Sequence, residues 1–144
     1  MKIHTTSIFA ASAEMVFELL RRGDTIAKLT EGFPISYDSS LPEYWQEGEP
    51  INLRPRFYGF AQGDHFVTFT KIDREQLLLC TQEYGSGIRC WNHTMEIRAL
   101  DDGTCHYTDM VTIHAGIKTP LVGLIANKLY QHRQQQLSTL LSQR

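Results

Sequence analysis

No apolar run of about 18 residues occurs anywhere in this chain, so no segment is expected to span a membrane as a helix. The opening residues, Met1-Lys2-Ile3-His4-Thr5-Thr6, lack the apolar core of a secretory signal, and a cytoplasmic location is expected. Cysteine is scarce. Cys80, Cys90 and Cys105 are odd in number and contain no CxxC pair, which argues against a zinc ribbon and against a disulfide scaffold. All three fall in strand-like stretches, where buried free thiols are common. Charge of one sign is missing too: the net charge of −2 gives no electrostatic reason to expect nucleic-acid binding. Six histidines are scattered, at His4, His65, His93, His106, His114 and His132, without HExxH or paired ligand spacing. There is no GxSxG, no glycine-rich phosphate loop before a helix and no internal repeat. Neither a metal nor a cofactor is expected.

What remains is an ordinary soluble composition in 144 residues, read as one domain over 1–144. A chain of this length buries roughly 68–70% of its unfolded surface, enough for a substantial core. Residues 2–9 read as a strand rich in β-branched side chains. Ser12 is a candidate N-cap for a helix that presents Val16, Phe17 and Leu20 on one face and ends at Gly23. Asp24 is placed to cap a second short helix reaching about Leu29. Residues 33–50 form a long connection punctuated by Pro34, Pro42 and Pro50, with a short strand over 35–39. Strands are expected over 51–58, 65–72, 76–84, 88–98 and 104–114, and a long final helix from Thr119-Pro120 almost to Arg144.

The turns suggest a register. Reading Gly85-Ser86-Gly87 as a three-residue loop pairs Tyr84 with Ile88, Thr81 with Trp91, Leu79 with His93 and Leu77 with Met95. One face of that hairpin then carries Leu77, Leu79, Thr81, Glu83, Arg89, Trp91, His93, Met95 and Ile97, and being the more apolar it is expected to point inward. A three-residue loop at Asp101-Asp102-Gly103 pairs Tyr107 with Ile97, Asp109 with Met95 and Val111 with His93. Asp109 then lies diagonal to His93, within side-chain reach. A two-residue turn would send Asp109 to the outer face.

The final helix carries an apolar stripe of Val122, Ile125, Ala126, Leu129, Leu137 and Leu140, with Arg133 near its middle and Tyr130 and His132 on its flanks. An arginine on a buried face must snorkel out, pair with a carboxylate, or meet an acidic group of a ligand. Trp91 and His93 are candidates for a pocket wall with a polar anchor, or else for core packing. Asp109 with His93 is a candidate acid/base pair, or else a strand-pinning hydrogen bond. Arg133 is a candidate clamp for a carboxylate or phosphate, or else an ion-pair partner of Asp109 or Glu83. Trp45, Tyr44 and Tyr58 are candidates for a pocket mouth or lid, or else for packing. Arg54 and Arg56 are expected on a solvated strand face.

Several stretches resemble one family: the opening strand and helix through Phe9-Ala10-Ala11-Ser12-Ala13-Glu14-Met15-Val16-Phe17-Glu18-Leu19-Leu20, the strand Trp91-Asn92-His93-Thr94-Met95, the segment from Gly103-Thr104 to Asp109-Met110-Val111, and Tyr130-Gln131-His132-Arg133-Gln134 with its leucine tail. In this order they resemble the SRPBCC superfamily, the START and Bet v 1-like helix-grip proteins, and its small bacterial ligand-binding or polyketide-cyclase-like members. The chain departs from the pattern at Ser12, where such proteins often carry proline, and in the extended 40–50 segment. The resemblance implies an α+β helix-grip fold: a curved antiparallel sheet of six to seven strands wrapped around a long C-terminal helix, with two short helices after the first strand. It implies a small hydrophobic or amphipathic ligand (a lipid, polyketide-like or aromatic molecule) held between sheet and helix by a carrier or sensor. The expected ligand-binding residues are Trp91, His93, Trp45, Tyr58, Tyr107, Asp109 and Arg133. Two alternatives stand beside this: a cyclase/dehydratase-type enzyme using His93 and Asp109, and a co-chaperone-like interaction module with little or no cavity. A homodimer is left open.

Overall fold

A computed structural model describes residues 1–143. The chain begins with strand β1 (Lys2–Phe9), helix α1 (Ala13–Arg21) and the five-residue helix α2 (Thr25–Leu29). The Ser12 side chain accepts a hydrogen bond from the Met15 backbone N–H and so caps α1. Val16, Phe17, Leu19 and Leu20 bury the inner face of that helix. Asp24 stands at the start of α2 without a side-chain cap bond; its carboxylate pairs instead with Arg22 and Lys28. The segment that follows crosses the end of α1. Gly23 N–H donates to the Glu43 carbonyl and Trp45 N–H to the Arg21 carbonyl. A Cβ at Gly23 would collide with the Pro42 carbonyl, so only glycine permits this approach.

Six strands form the main antiparallel sheet: β1, β3 (Ile51–Asn52), β6 (His65–Asp73), β7 (Leu78–Gly85), β8 (Ile88–Ala99) and β9 (Cys105–His114), in the order β1-β9-β8-β7-β6-β3. Strands β2 (Ile35–Tyr37), β4 (Pro55–Phe57) and β5 (Phe60–Ala61) make a small second sheet in the order β2-β4-β5. The single strand expected over 51–58 is therefore two strands in two sheets. Asn52 Oδ1 accepts from the backbone N–H of Arg54 and of His65, and Arg54 turns through φ 46°. The chain leaves one sheet for the other at that point. A register shift between Phe69 and Lys71 bends β6, as bulges do.

The β8–β9 register agrees with the sequence expectation: Ile97 faces Tyr107, Met95 faces Asp109 and His93 faces Val111. Leu100 N–H donates to the Thr104 carbonyl and Gly103 takes φ 81°, so the loop is three residues long. The β7–β8 register differs by two residues. Gly85 pairs with Ile88 across a two-residue turn, Ser86-Gly87, in which both φ angles are positive. An irregularity between Glu83 and Gly85 adds the rest of the shift. Thr81 consequently faces His93, Leu79 faces Met95, and Glu83 faces Trp91. A two-residue slip preserves which face a side chain occupies, so the inward face keeps its composition while its neighbours change.

After a short 3₁₀ turn (Gly116–Lys118), helix α3 (Thr119–Ser142) runs across the sheet. Thr119 lies inside the helix rather than capping it, and its hydroxyl donates to the Gly116 carbonyl and accepts from Ala115 N–H. Pro120 occupies the first turn, where its missing N–H has no cost. Ala126, Leu129, Tyr130, Gln134, Leu137 and Leu141 are buried. Phe17, Leu79 and Leu137 pack into one main core cluster, each fully buried side chain contributing about 1.5–3 kcal/mol. A smaller cluster of Ile3, Val111, Ile113, Ala126 and Tyr130 joins the first half of α3 to β1 and β9. Among the described residues no helix is long and apolar enough to cross a membrane.

Candidate binding cavity

The curved sheet meets one side of the first half of α3 and stands away from the other. A cavity of about 230 Å³ lies between the sheet and that second side of α3. Its apolar wall includes Trp45, Leu53, Val67, Phe69, Met95 and Leu129. Trp45 stacks on Phe69 with ring centroids 4.9 Å apart, which fixes the indole in the wall. Helix α3 contributes Val122, Ile125, Leu129 and Arg133 at successive turns, while Ala126, Tyr130 and Gln134 pack towards the sheet. A second hollow between β1 and α3 is more open and carries no titratable side chain.

Polar groups enter the cavity from the strands. His93 projects from β8, and its Nε2 lies 2.6 Å from Asp109 Oδ1 on β9. Asp109 is 2% exposed. Tyr107 O–H donates to the same oxygen at 2.7 Å, and Gln134 Nε2 donates to Oδ2 at 2.9 Å. Gln134 is held in turn: its Nε2 also donates to the Thr5 carbonyl, and its Oε1 accepts from Ser7 Oγ. Burial acts to raise the Asp109 pKa, but the hydrogen bond from His93, the charge of Arg133 and the Gln134 bond hold it below the ordinary carboxylate value. An ionised carboxylate only accepts, so His93 Nε2 carries the proton. In a neutral ring the other nitrogen, Nδ1, is then an acceptor.

A second histidine–carboxylate pair occupies the same wall. His65 Nε2 lies 3.0 Å from Glu83 Oε1, and Thr81 Oγ1 donates to Glu83 Oε2 at 2.9 Å. Burial again works to raise the Glu83 pKa, and again hydrogen bonding, from His65 first and then from Thr81, helps carry it below the ordinary value. Between the two pairs, Trp91 Nε1 donates to Tyr130 O–H at 2.9 Å. The His93 and Tyr130 rings lie 4.7 Å apart. Burial pushes the Tyr37 phenol up to about 12 and the Tyr130 phenol well above its usual value, so both remain protonated donors at neutral pH.

Arg133 lies over the Tyr130 ring, 5.2 Å from its centroid. Among the described residues no carboxylate lies within ion-pair distance of it, so it pairs with neither Asp109 nor Glu83. Its charge is nevertheless favoured. Burial disfavours the guanidinium, but the phenols of Tyr130, Tyr37 and Tyr107 and the Asp109 carboxylate outweigh that.

Of the seven residues expected at the site, Trp91, His93, Trp45 and Arg133 line the cavity. Tyr107 and Asp109 stand behind His93 instead and do not reach the wall. Tyr58 is a correction. It takes φ 51° beside Gly59 at the β4–β5 turn, rests edge-on against Phe57 and is 70% exposed. Tyr44 sits outside with Arg21 and Arg22 over its ring, and Arg56 pairs with Asp38 at the surface. The three cysteines are free. Sequence reasoning missed His65, Glu83, Tyr37 and Ser86. His65 was accessible by parity, since it shares a strand face with Val67 and Phe69. Glu83 was on the expected inward face but without a histidine beside it. Ser86 and Tyr37 carried no signal.

Neither a protein-family model nor a curated protein matches the sequence. Solved structures do match. A START superfamily protein from Mycobacterium smegmatis superposes with a TM-score of 0.73 at 13% identity, over 99% of this chain and 97% of that one. Norcoclaurine synthase from Thalictrum flavum, in complex with dopamine and hydroxybenzaldehyde, gives 0.75 at 16% identity, over 100% and 87%. Ara h 8.0201 gives 0.72 at 12% identity, over 100% and 99%. The chain thus has the START/Bet v 1-like helix-grip fold of the SRPBCC proteins. At these identities the likeness is one of fold, and a fold hosts many functions.

Proposed function

We propose that this protein binds a small amphipathic molecule, with an apolar and preferably aromatic body, in the cavity between sheet and α3, as a cytoplasmic carrier or sensor. The observation that carries this is the cavity itself: about 230 Å³ of space with an apolar wall and a few convergent polar groups. Drug-sized pockets run from roughly 300 Å³ upward, so this volume favours a one- or two-ring compound over a full-length lipid. Arg133, charged and without a carboxylate partner, suits a ligand carboxylate or carbonyl. The ligand set proposed is Trp45, Trp91, His93 and Arg133, with Asp109 and Tyr107 positioning His93. The complex of norcoclaurine synthase with dopamine and hydroxybenzaldehyde supports a role for this architecture in holding small aromatic molecules.

The buried His93–Asp109 contact favours a second reading, an enzyme of the cyclase/dehydratase type in which His93 Nδ1 takes a proton from the bound substrate while Asp109 stabilises the imidazolium. The deciding experiment is native mass spectrometry of the protein purified from its own host, followed by identification of the passenger. A stoichiometric small molecule that is absent from Val122→Phe, which fills the cavity beside α3, supports carriage. A passenger retained by Val122→Phe, or bound only at the surface, overturns it. Turnover of the recovered molecule, abolished in His93→Gln, moves the assignment to the enzyme.

A further inference from the structure

Four buried side-chain atoms have no hydrogen-bond partner among the described residues, and two of them, His65 Nδ1 and Ser86 Oγ, belong to residues of the cavity wall. Those two residues are neighbours across the sheet. His65 pairs with Gly85, and Ser86 N–H donates to the Asp64 carbonyl at 2.9 Å. His65 is 6% exposed, so its free nitrogen has no solvent to turn to. Buried polar atoms are almost always satisfied, and orphans call for a missing partner. Two such atoms on neighbouring residues of one cavity wall point to a polar partner at this end of the cavity.

The chemistry of that group follows from the two atoms. With Glu83 on Nε2–H, the tautomer that fits the pair leaves Nδ1 as the acceptor nitrogen of an uncharged ring. Ser86 Oγ carries a rotatable O–H that can donate. A hydroxyl is the small group that meets both, donating one hydrogen bond and accepting another. Ser86 also sits at φ 53°, a left-handed conformation that favours glycine or asparagine. A serine at a position that suits glycine better is consistent with use of its hydroxyl.

We infer that this end of the cavity is a hydroxyl-reading subsite, in which a phenol or alcohol of the ligand donates to His65 Nδ1 and accepts from Ser86 Oγ–H, with Glu83 and Thr81 fixing the orientation of His65. The inference rests on the cavity being a ligand site, and it adds the ligand's functional group and the residues that select it. With Arg133 elsewhere on the wall, the subsite gives the ligand a defined direction in the cavity.

The test uses the full chain and three probes of matched shape: 2-naphthol, 2-methoxynaphthalene and naphthalene. Binding is followed by titration, and occupancy by nuclear Overhauser contacts to the Met95 methyl group, which faces the cavity. The wild type is expected to bind 2-naphthol about tenfold more tightly than the two probes lacking the donor, a difference equivalent to ~1.4 kcal/mol. Ser86→Gly, which suits the backbone, is expected to erase that preference. The His65 Nδ1 nitrogen resonance should move with 2-naphthol and stay still with 2-methoxynaphthalene. Equal affinity for all three probes, or a preference that survives in Ser86→Gly, overturns the subsite but leaves the cavity as a ligand site. Failure of every probe to contact the Met95 methyl group overturns both.

Discussion

The two histidine–carboxylate pairs use the same residue chemistry in different surroundings. Asp109 is behind the cavity wall and fully wrapped: His93, Tyr107 and Gln134 all donate to it, and Gln134 is itself locked by Thr5 and Ser7. Glu83 is in the wall, with one donor on each oxygen, and its histidine keeps a free nitrogen. The first pair ties β1, β8, β9 and α3 together at one point. The second joins only the adjacent strands β6 and β7 and leaves capacity for a guest. A buried carboxylate can therefore serve as a pin or as a binding group, and the count of its fixed donors tells which.

The largest effect should come from Asp109→Ala. It leaves His93, Tyr107 and Gln134 facing a void, and breaking a buried charged pair by removing one partner costs about 3–5 kcal/mol. Urea unfolding measures it, and a loss under about 1 kcal/mol would remove the distinction between pin and binding group. Asp109→Asn is the sharper change. One oxygen must keep accepting from His93 and Tyr107, so the new amide nitrogen faces the Gln134 amide nitrogen. Gln134 cannot turn over, because its oxygen is taken by Ser7 and its nitrogen by Thr5. A donor–donor clash in the core should cost about 1–3 kcal/mol.

The same contrast has a pH signature. Asp109 and Glu83 both have folded pKa values below their ordinary ones. Such groups contribute stability that is present above the unfolded value of about 4 and is lost as pH falls through the folded value. Acid unfolding below about pH 4 should therefore be steep in the wild type, and shallower in Asp109→Asn, which lacks one of the two groups. An unchanged acid limb in urea midpoints against pH would show that His93 does not hold Asp109 ionised.

How much of this was legible in the chain depends on the distance over which each feature is determined. The β8–β9 register follows from three loop residues and one glycine, so the His93–Asp109 contact was within reach of local reasoning. The β7–β8 register was not, because the irregularity between Glu83 and Gly85 depends on how the sheet curves, and a slip of two residues moved Glu83 opposite Trp91 without changing its face. The His65–Glu83 pair depends on the β6–β7 pairing, which itself shifts at Phe69/Lys71. The stripe on α3 was visible as a pattern. Its division into a sheet side bearing Tyr130 and Gln134 and a cavity side bearing Val122, Ile125 and Arg133 depends on where the sheet stops touching the helix, and no local pattern encodes that. Tyr58 failed for a local reason instead: it was expected at a pocket mouth or lid, but with φ 51° it sits in an exposed turn beside Gly59.

The smallest expected effect is the one that separates the pairs most directly. Glu83→Gln makes at the second carboxylate the same isosteric change that Asp109→Asn makes at the first. Here the amide fits. Its oxygen continues to accept from His65 Nε2–H, and its nitrogen can donate to Thr81, whose hydroxyl rotates to accept. No locked donor stands opposite, and the group faces the cavity. The cost should stay below about 1 kcal/mol, since exchanging a buried charge for a satisfied neutral group is often close to neutral. Equal losses in the two amide variants, measured side by side in urea, would mean that the wrapping of Asp109 has no energetic consequence. A loss at Glu83 exceeding that at Asp109 would reverse the assignment and make the cavity-wall pair the structural pin.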